Sequence, residues 1–374
     1  MSSLCGRLAK KGLGDMKFNA SGGPINWFPG HMASATRAIR DRLKLADFVI
    51  EVRDARIPAS SVHGDLQPVL SSKRRLIALN KKDLANPNIM NKWIRHFDSR
   101  SEDCLLINAH NRNSVKKLLD LAELKLKEVI SREPTLLIMV VGVPNVGKSS
   151  LINSIHQIAS SRFPAQGKLK RATVGPLPGV TQDIAGFKIA HQPSIYVLDT
   201  PGVLVPSIPD IETGLKLALT GSVKDSVVGE ERIAQYFLAV LNTRNTPLHW
   251  KYMNNRRMEG VHYDTKEKES VLQDLLPKKR KPPNESDVLY IQDLVLEVQR
   301  ALYVTLSEFD GNLEDEDDLE CLIEKQFMAL QKAFKIPSHR DCNEARTMVS
   351  KKFLTLFRTG KLGPFTLDDV PEAS

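Results

Sequence analysis

Short apolar runs, each bounded by polar turn residues, recur through the first half of the chain. They stand at residues 48–52, 76–79, 105–107, 136–141 and 195–198. Stretches with helical spacing of apolar residues, such as 115–130 and 148–158, lie between these runs. Because buried strands that alternate with helices form parallel sheets, this pattern predicts an α/β domain with a mostly parallel sheet over residues 26–206.

The pattern changes to amphipathic helices in the second half of the chain. Helical spacing runs through residues 211–219, 232–241, 288–306, 319–334 and 342–358. We therefore predict an all-helical C-terminal domain over residues 207–374. Within it, the polar and basic stretch 246–284 ends in consecutive lysines and prolines, which predicts a loop or a disordered insertion. The acidic patch 314–318 predicts either a helix start or an exposed turn.

The composition is typical of a globular protein with two domains. The 374 residues are 41% hydrophobic and 26% charged, and no apolar run approaches the roughly 20 residues needed to cross a bilayer. We therefore expect no integral membrane insertion. The net charge of +9 favours a polyanionic partner, either nucleic acid or anionic lipid. A solvated basic surface without any partner would give the same charge.

Cysteine spacing and the N-terminal residues bear on the cellular compartment. Because the four cysteines lie far apart without CxxC spacing, they argue against a zinc site and a dense disulfide framework and favour a reducing compartment. Residues 1–25 form a leader that carries four basic residues against the single acid Asp15. This composition is that of a mitochondrial presequence, although a disordered basic arm would look the same.

The strongest motif is a glycine-rich loop that follows the run 136–141 and precedes a helical stretch. Residues 142–149 read GVPNVGKS, which fits GxxxxGK[ST]. In such a loop, backbone N–H groups and the helix N-terminus point at phosphate oxygens. Lys148 is expected to reach the β- and γ-phosphates, and Ser149 to ligate magnesium. The predicted phosphate-binding residues are Asn145, Val146, Gly147, Lys148, Ser149 and Ser150.

A second motif, DTPG at residues 199–202, follows the run 195–198 as the DxxG element of a GTP-binding protein does. Asp199 is expected to hold magnesium through its water shell, and the Gly202 amide to sense the γ-phosphate. The Gly- and Pro-rich stretch before it predicts a loop that the γ-phosphate and magnesium order. In that stretch Thr181 is the favoured magnesium ligand, and Thr173 is the alternative.

A third motif, NKKD at residues 80–83, ends the run 76–79 and selects guanine over adenine. The carboxylate of Asp83 would accept two hydrogen bonds from guanine that adenine does not offer. Because the wrong base leaves a buried polar group without a partner, such a site discriminates steeply. We therefore predict binding of GTP and GDP, with Asn80, Lys81 and Asp83 at the base.

The motifs run in an unusual order. The base-reading motif at 80–83 precedes the phosphate loop at 142–149, whereas ordinary GTP-binding proteins place it later. Permutation leaves a packed sheet intact when the old termini lie close together and a surface loop supplies new ones. Residues 26–206 are therefore predicted to form a P-loop GTPase domain with circularly permuted motif order. The segment after Gly202 leads into the helical domain, so nucleotide state is expected to bias that domain.

This order, together with WFPGHM at residues 27–32 and DARIP at 54–58, resembles the YlqF-type circularly permuted GTPases. That family includes ribosome biogenesis GTPase A and the mitochondrial ribosome-associated GTPases. The resemblance covers roughly residues 26–206 and implies a role in late assembly of the large ribosomal subunit. It also implies that Asn108 and Ala109 contact the base, at the place of the family's SAK-like element. There Asn108 and His110 replace the usual serine and lysine.

The residue after the DTPG motif bears on hydrolysis. Val203 stands where Ras-like proteins place a water-orienting glutamine, so slow intrinsic GTP hydrolysis that a partner stimulates is expected. The resemblance offers His31 as the water-positioning residue, with an RNA contact or a packing role as the alternative. It also offers Asn145 as a ligand of an activating K⁺ ion, with a simple turn residue as the alternative. The predicted catalytic residues are His31, Lys148 and Thr181.

Clusters of basic residues favour rRNA as a partner, although each cluster would equally suit a solvated face. They comprise Arg162, Lys168, Lys170, Arg171 and residues 278–281. The leading hypothesis is a monomeric mitochondrial GTPase that assembles the large ribosomal subunit. The alternatives are a GTP-gated RNA-binding scaffold or signalling switch with negligible catalysis, and a GTPase in peripheral contact with a membrane surface.

Overall fold

The computed structural model describes residues 12–17, 25, 39–130, 135–162, 186–191, 194–198, 208–250, 285–337 and 341–371. Several features of the sequence lie outside these residues. They are most of the leader, WFPGHM with His31, the stretch 163–185 with Thr173 and Thr181, the DTPG motif with Asp199, Gly202 and Val203, and residues 251–284. The phosphate loop and the base-reading motif lie inside them.

The chain divides into two compact units. The sheet unit comprises residues 26–209, 216–224 and 364–374. The helical unit comprises residues 1–25, 210–215 and 225–363. Two segments late in the chain, 216–224 and 364–374, therefore belong with the sheet, and the first of them includes the end of the helix Ile211–Leu219.

One sheet organises the sheet unit, and its strands form where the sequence has continuous apolar runs. The described strands are β1 (Phe48–Asp54), β2 (Arg75–Asn80), β3 (Cys104–Leu106), β4 (Thr135–Val141), β5 (Gly186–His191) and β6 (Ser194–Leu198). Their spatial order is β3-β2-β1-β4-β6-β5. Every paired neighbour is parallel except β5, which runs antiparallel to β6. The prediction of a mostly parallel sheet is confirmed.

Helices connect the strands and supply one side of two core clusters. In the sheet unit they are α1 (Gln67–Leu70), α2 (Pro87–Ser99), α3 (Arg112–Ile130) and α4 (Lys148–Arg162), and residues 39–45 are also helical. In one cluster Leu43 packs with Val49 of β1 and Met139 of β4. In the other, Trp93 of α2 packs with Leu79 of β2. Both clusters hold the central strands in place from the helical side.

The sequence pattern did not reveal strand β5 or helix α2 of the sheet unit. Strand β5 is a short edge strand, and its alternation of Phe187 and Ile189 with other residues is too brief to stand out. Helix α2 begins at Pro87, and the side chain of Asn86 accepts a hydrogen bond from the Asn88 amide (3.1 Å). An N-cap asparagine followed by proline at the first position is a helix-start signal, so the sequence does contain the information for α2.

Helices account for the elements described from residue 211 onward, as predicted. They are α5 (Ile211–Leu219), α6 (Asp225–Val228), α7 (Glu230–Thr243), α8 (Thr246–His249), α9 (Glu285–Ser307), α10 (Glu316–Ala333) and α11 (Cys342–Arg358). The ring of Phe237 on α7 is buried. Its centroid lies 5.1 Å from the ring centroid of Phe353 and 4.6 Å from that of Phe357, both on α11. These contacts make an aromatic core for the helical unit.

In the C-terminal half, the predicted loop 246–284 is partly wrong and the predicted helix start in the acidic patch 314–318 is confirmed. The predicted loop 246–284 is wrong at its start, because residues 246–249 form helix α8 with a proline in its first turn, and Trp250 behind it is buried. The expectation of a helix start in the acidic patch is confirmed. Asp315 caps α10 by accepting hydrogen bonds from the amides of Asp317 and Asp318. Among the helices described, none is both long and apolar enough to span a bilayer.

Candidate nucleotide-binding site

The carboxyl ends of β1, β2 and β4 meet at one edge of the sheet, and the predicted site loops follow these strands. From β1 the chain moves outward to β2 and β3, and it then returns to β4 on the other side of β1. The direction of winding therefore reverses between β1 and β4. Open α/β sheets bind ligands outside the carboxyl ends of the strands at such a switch point.

Two glycines of the phosphate loop stand where no side chain would fit. Gly142 has φ +152°, and a Cβ there would lie 2.3 Å from the carbonyl oxygen of Val52 in β1. Gly147 has φ +96°, and its Cβ would lie 2.3 Å from Nδ2 of Asn80. The loop is therefore held tightly against β1 at one end and against the base-reading motif at the other.

Lys148 is the first residue of α4, and its side chain is almost fully buried. Its exposed fraction is 4%, and Nζ donates a hydrogen bond to the carbonyl oxygen of Val143 in the same loop (2.8 Å). Ser149 and Ser150 follow in the first helical turn and are half-buried. The curled backbone, the helix N-terminus and the ammonium group together make an anion site.

The side chain of Asn80 joins three loops of the site. Its Nδ2 donates to the carbonyl oxygen of Val146 in the phosphate loop (2.8 Å), and its Oδ1 accepts from the amide of Ala109 (2.9 Å). Ser154 of α4 donates through Oγ to the carbonyl oxygen of Ala109 (2.5 Å). Asn80 therefore fixes the phosphate loop relative to the loop that follows β3.

Lys81 joins the base-reading motif to the phosphate loop by a second contact. Its backbone is left-handed, with φ +61°, and Nζ donates to the carbonyl oxygen of Asn145 (2.6 Å). The same ammonium forms an ion pair with the carboxylate of Asp54 at the end of β1 (2.9 Å). Burial lowers the pKa of Lys81, and the Asp54 carboxylate opposes that effect. Asp83 lies one turn further on in a short 3₁₀ helix and is exposed.

Asp54 and Arg56 form a fully buried ion pair to which sequence reasoning assigned no role. Nε and Nη2 of Arg56 donate to the two carboxylate oxygens of Asp54 at 3.0 and 2.8 Å. Nη2 also lies 3.4 Å from the carbonyl oxygen of Thr220. Burial by itself raises the pKa of Asp54, but the charges of Arg56 and Lys81 hold it well below its ordinary value. The DARIP motif was visible in the sequence, but the partners of its side chains were not.

The Asn145 side chain also contacts the segment 216–224. The residue has φ +56°, and Nδ2 donates to the carbonyl oxygen of Gly221 (2.8 Å). The contacts of Lys81, Asp54 and Arg56 connect the phosphate loop through the base-reading motif to Thr220. The bond from Asn145 to Gly221 connects this segment directly to the phosphate loop. The role of Asn145 in binding K⁺ stays a prediction.

The loop 108–110 is held by local hydrogen bonds. Oδ1 of Asn108 accepts from the amide of His110 (2.8 Å), and the amide of Asn108 donates to Oγ of Ser114 (3.0 Å). Asn108 and Ala109 are buried, whereas His110 is exposed. Because the Ala109 amide donates to Asn80, this loop supports the base-reading motif, and its direct contact with a base stays a prediction.

His63, beyond the end of β1, is a buried histidine near the phosphate loop. It is 2% exposed, and neither ring nitrogen has a hydrogen-bond partner in the part of the chain that the structure describes. Burial has the largest effect on the pKa of His63 and lowers it. Asp65 and Glu51 raise it, and the charge of Lys148 lowers it further. Burial therefore favours the neutral form of this ring, whereas the ammonium of Lys148 supplies positive charge beside this loop.

The structure thus brings together the described members of the predicted site. They lie at the carboxyl-end edge of the sheet, in the end of β2, the 3₁₀ turn after it, the loop after β3, the phosphate loop and the first turn of α4: Asn80, Lys81, Asp83, Asn108, Ala109 and residues 145–150. His31, Thr181, Asp199 and Gly202 lie outside the described residues. Their predicted roles in hydrolysis and magnesium binding stay predictions.

Replacing Asp54 with alanine is expected to destabilise the protein by about 3–5 kcal/mol, because it leaves the buried guanidinium of Arg56 and the partly buried ammonium of Lys81 without their anion. Urea denaturation of the full chain measures this as a lower apparent free energy of unfolding. Since the pKa of Asp54 is lower in the folded than in the unfolded state, this stabilisation is present above pH about 4. It is lost as the pH falls below that value.

The matched control for this substitution is Asp41→Ala. Asp41 pairs with Lys44 (3.0 Å), but both side chains are exposed, at 72% and 66%. Exposed pairs contribute little because water screens them and two long side chains must be ordered. Equal destabilisation by Asp54→Ala and Asp41→Ala would contradict the structural role assigned to the buried pair.

Comparison with known proteins gives one family profile and several similar sequences. A profile described as "50S ribosome-binding GTPase" matches residues 137–277. "Short integuments 2, mitochondrial" from Arabidopsis thaliana is 72% identical over 374 residues, which is 100% of this chain and 96% of that protein. "DAR GTPase 2, mitochondrial" from the same plant is 41% identical over 366 residues, 96% of this chain and 94% of that protein.

Bacterial proteins are similar over a shorter part of the chain. "Ribosome biogenesis GTPase A" from Bacillus pumilus is 36% identical over 224 residues, which is 58% of this chain and 75% of that protein. Among solved structures, GNP-bound YlqF from T. maritima aligns with a TM-score of 0.38 at 22% sequence identity. That alignment covers 78% of this chain and 94% of the bacterial chain.

Proposed function

The chain belongs to the YlqF-type family of circularly permuted GTPases, and we propose that it is a GTP-hydrolysing assembly factor for the large subunit of the mitochondrial ribosome. The observation that carries this proposal is the convergence of the phosphate loop and the base-reading motif, joined through Asn80 and Lys81. Relatives that match nearly the whole chain carry mitochondrial names, and we place the protein in mitochondria. The basic residues within 1–25 suit a presequence.

Phosphate binding is assigned to the loop that ends in Lys148. The glycines at 142 and 147 leave room only for backbone, so N–H groups line the loop. Lys148 exchanges its hydrogen bond with Val143 for one with a phosphate oxygen. Val146 and Gly147 contribute backbone donors, and Ser150 lies in the first turn behind them.

Magnesium fits the oxygen donors that the chain offers beside this loop. Ser149 lies in the first turn of α4, and hydroxyl and carboxylate oxygens are the ligands that this ion prefers. Ser149, Thr181 and Asp199 would hold it. When bound, the ion neutralises charge on the β- and γ-phosphates. The contribution of this chain is to fix the Ser149 hydroxyl at a rigid helix start.

Base recognition is assigned to the motif at 80–83. The contacts of Asn80 and Lys81 hold the motif against the phosphate loop, so the base and the phosphates have a fixed separation. Asp83 is exposed at this edge and accepts two hydrogen bonds from guanine. Burial of the carboxylate under the base makes the discrimination against adenine steep.

Hydrolysis is expected to be slow until the ribosomal particle is bound. Val203 offers no polar group to orient water. We assign water positioning to His31 and stimulation by K⁺ to Asn145. The net charge of +9 favours contacts with rRNA phosphates, and the protein acts as a monomer on the particle.

Co-sedimentation of the purified full chain with mitochondrial large ribosomal subunits tests this function. We expect retention with a non-hydrolysable GTP analogue and release with GDP, because the triphosphate orders the segment around Thr181 and Gly202. Retention should weaken steeply with salt if rRNA phosphates are contacted. The subunits should also stimulate GTP hydrolysis over multiple turnovers.

Lys148→Ala is the matched control for this experiment. The variant should show the same retention with both nucleotides, since it does not bind them tightly. Retention of the native chain that is independent of nucleotide would contradict the assembly-factor proposal. Binding to the subunit without any stimulated hydrolysis would identify the protein as a GTP-gated scaffold instead.

A further inference from the structure

The C-terminal segment after α11 returns to the sheet unit and runs along the loops of the nucleotide site. We call residues 364–370 the C-terminal strap. The amide of Phe365 donates to the carbonyl oxygen of Leu84 (2.9 Å), and the amide of Leu367 donates to that of Arg56 (2.8 Å). The amide of Asn86 donates to Oγ1 of Thr366 (3.2 Å). The strap thus bonds to the loops that follow β1 and β2.

The centre of the strap is buried. Thr366 and Leu367 are each 2% exposed, and Asp368 is 4% exposed. Val370 packs against the core cluster that contains Trp93 and Leu79. These contacts fix the strap against the sheet unit.

Asp368 is the most strongly bonded residue of the strap. Its Oδ2 accepts hydrogen bonds from the amides of Ala59 and Ser60, both at 2.8 Å. Its Oδ1 accepts from Oγ of Ser60 (2.6 Å) and lies 3.3 Å from Nζ of Lys216. One buried carboxylate therefore satisfies donors from the loop after β1 and from the segment 216–224.

The two loops that the strap joins carry the contacts of the nucleotide site. Arg56, whose carbonyl oxygen accepts from Leu367, holds Asp54, and Asp54 holds Lys81. Leu84, whose carbonyl oxygen accepts from Phe365, directly follows Asp83 in the chain. Displacement of the strap would therefore remove contacts that hold the residues on either side of the base-reading motif's Asp83.

We propose that the C-terminal strap positions the base-reading motif and that Asp368 is its positioning residue. This inference rests on the GTP site proposed above. Asp368 does not touch the nucleotide. It holds the loop 55–60 in the place from which Arg56 and Asp54 orient Lys81, while Phe365 holds the residue next to Asp83. Guanine selectivity, rather than phosphate binding, is the property that depends on this bracing.

The test compares GDP with IDP in the full-length protein and in Asp368→Ala. Inosine lacks the exocyclic amine, so it offers Asp83 one hydrogen bond where guanine offers two. The native chain should bind GDP more tightly than IDP. In Asp368→Ala we expect the ratio of the two affinities to fall by about fivefold to tenfold, because a poorly placed carboxylate gains less from the second bond. Titration of both diphosphates gives the ratio.

Two further variants separate positioning from general damage. Asp41→Ala removes an exposed carboxylate of the sheet unit, which pairs with Lys44, with the same change in charge and should leave the ratio unchanged. Ser60→Ala removes only one hydrogen bond of Asp368 and should lower the ratio in the same direction but by less, which keeps the test available if Asp368→Ala folds poorly. Hydrogen exchange at residues 82–86 should also quicken in Asp368→Ala and Ser60→Ala.

The outcomes are distinct. An unchanged GDP-to-IDP ratio in Asp368→Ala and Ser60→Ala overturns the proposal, even if both affinities fall equally, because an equal fall reports only lost stability. If the native chain shows no preference for GDP over IDP, the guanine site itself is wrong, and the strap proposal fails with it. A lowered ratio in Asp368→Ala together with an unchanged ratio in Asp41→Ala supports the strap.

Discussion

Replacing Lys148 with alanine is expected to lower the affinity for GTP and GDP by about 10²–10³-fold, since removing one partner of a desolvated charge pair costs about 2–5 kcal/mol. The ammonium is 4% exposed at the start of α4 and lies on the loop that lines the proposed phosphate site. Equilibrium titration with a fluorescent GDP or GTP analogue measures the loss directly.

The same substitution should cost the nucleotide-free fold less than it costs nucleotide binding. Nζ donates a hydrogen bond to the carbonyl oxygen of Val143 in the same loop, and a hydrogen bond with one charged partner contributes about 1.5–3 kcal/mol. Nucleotide at a hundred times its Kd raises the free energy of unfolding of the native chain by about 2.7 kcal/mol, and this gain should vanish in the variant. Thermal unfolding with and without GDP therefore checks binding independently of fluorescence.

Lys125→Ala is the matched lysine control. Lys125 lies on α3, is 41% exposed and pairs with Asp103 away from the phosphate loop. It should keep native affinity for both nucleotides. If Lys148→Ala also kept native affinity, the loop 142–149 would not be the phosphate site, whatever its sequence pattern.

The sheet and the phosphate loop were predictable because their signals are local. The apolar run that becomes β4 is continuous, and the glycines that follow it fit a spacing that few other structures require. The apolar spacing of the long helices likewise gave α7, α9, α10 and α11 with bounds close to those observed. Such features depend on residues within one or two turns of each other.

The supports of the site were not predictable, because they join residues far apart in the chain. The motif spacing explains why position 147 is a glycine. It does not show that a Cβ at this position would clash with Nδ2 of Asn80. The DARIP motif marked Asp54 and Arg56 without showing that Lys81 completes their cluster. These relations exist only once β1, β2 and β4 lie side by side.

The C-terminal strap left no periodic signal at all. Residues 364–370 lie in neither helix nor strand, and their amides bond to carbonyl groups in two separate loops. Residues 364–370 were predicted only as part of the all-helical domain, and nothing in the sequence distinguishes the buried Asp368 from the neighbouring Asp369. Only the positions of Ala59, Ser60 and Lys216 reveal its role.

Replacing Asp83 with asparagine is expected to change the base preference from guanine to xanthine. The carboxylate accepts two hydrogen bonds from guanine, each worth about 1.5–3 kcal/mol because one partner is charged. An asparagine amide keeps one acceptor and presents a donor where the guanine amine also donates. The affinity for GTP should therefore fall by about 10²–10⁴-fold. Xanthine carries an oxygen at that position and accepts from the new donor, so xanthosine triphosphate should bind the variant more tightly than GTP.

The variant is expected to gain affinity for xanthosine triphosphate and to lose affinity for GTP. Because damage to the fold would lower both affinities, this result separates base recognition from such damage. Asp98→Asn makes the same change at an exposed position of α2 and should keep the preference for GTP. Lys148→Ala should weaken both nucleotides equally, since the phosphates are common to them. Competition of GTP and xanthosine triphosphate against one fluorescent nucleotide gives both affinities in a single experiment. If Asp83→Asn still preferred guanine, the motif at 80–83 would not read the base, and the contacts of Asn80 and Lys81 would serve the phosphate loop alone.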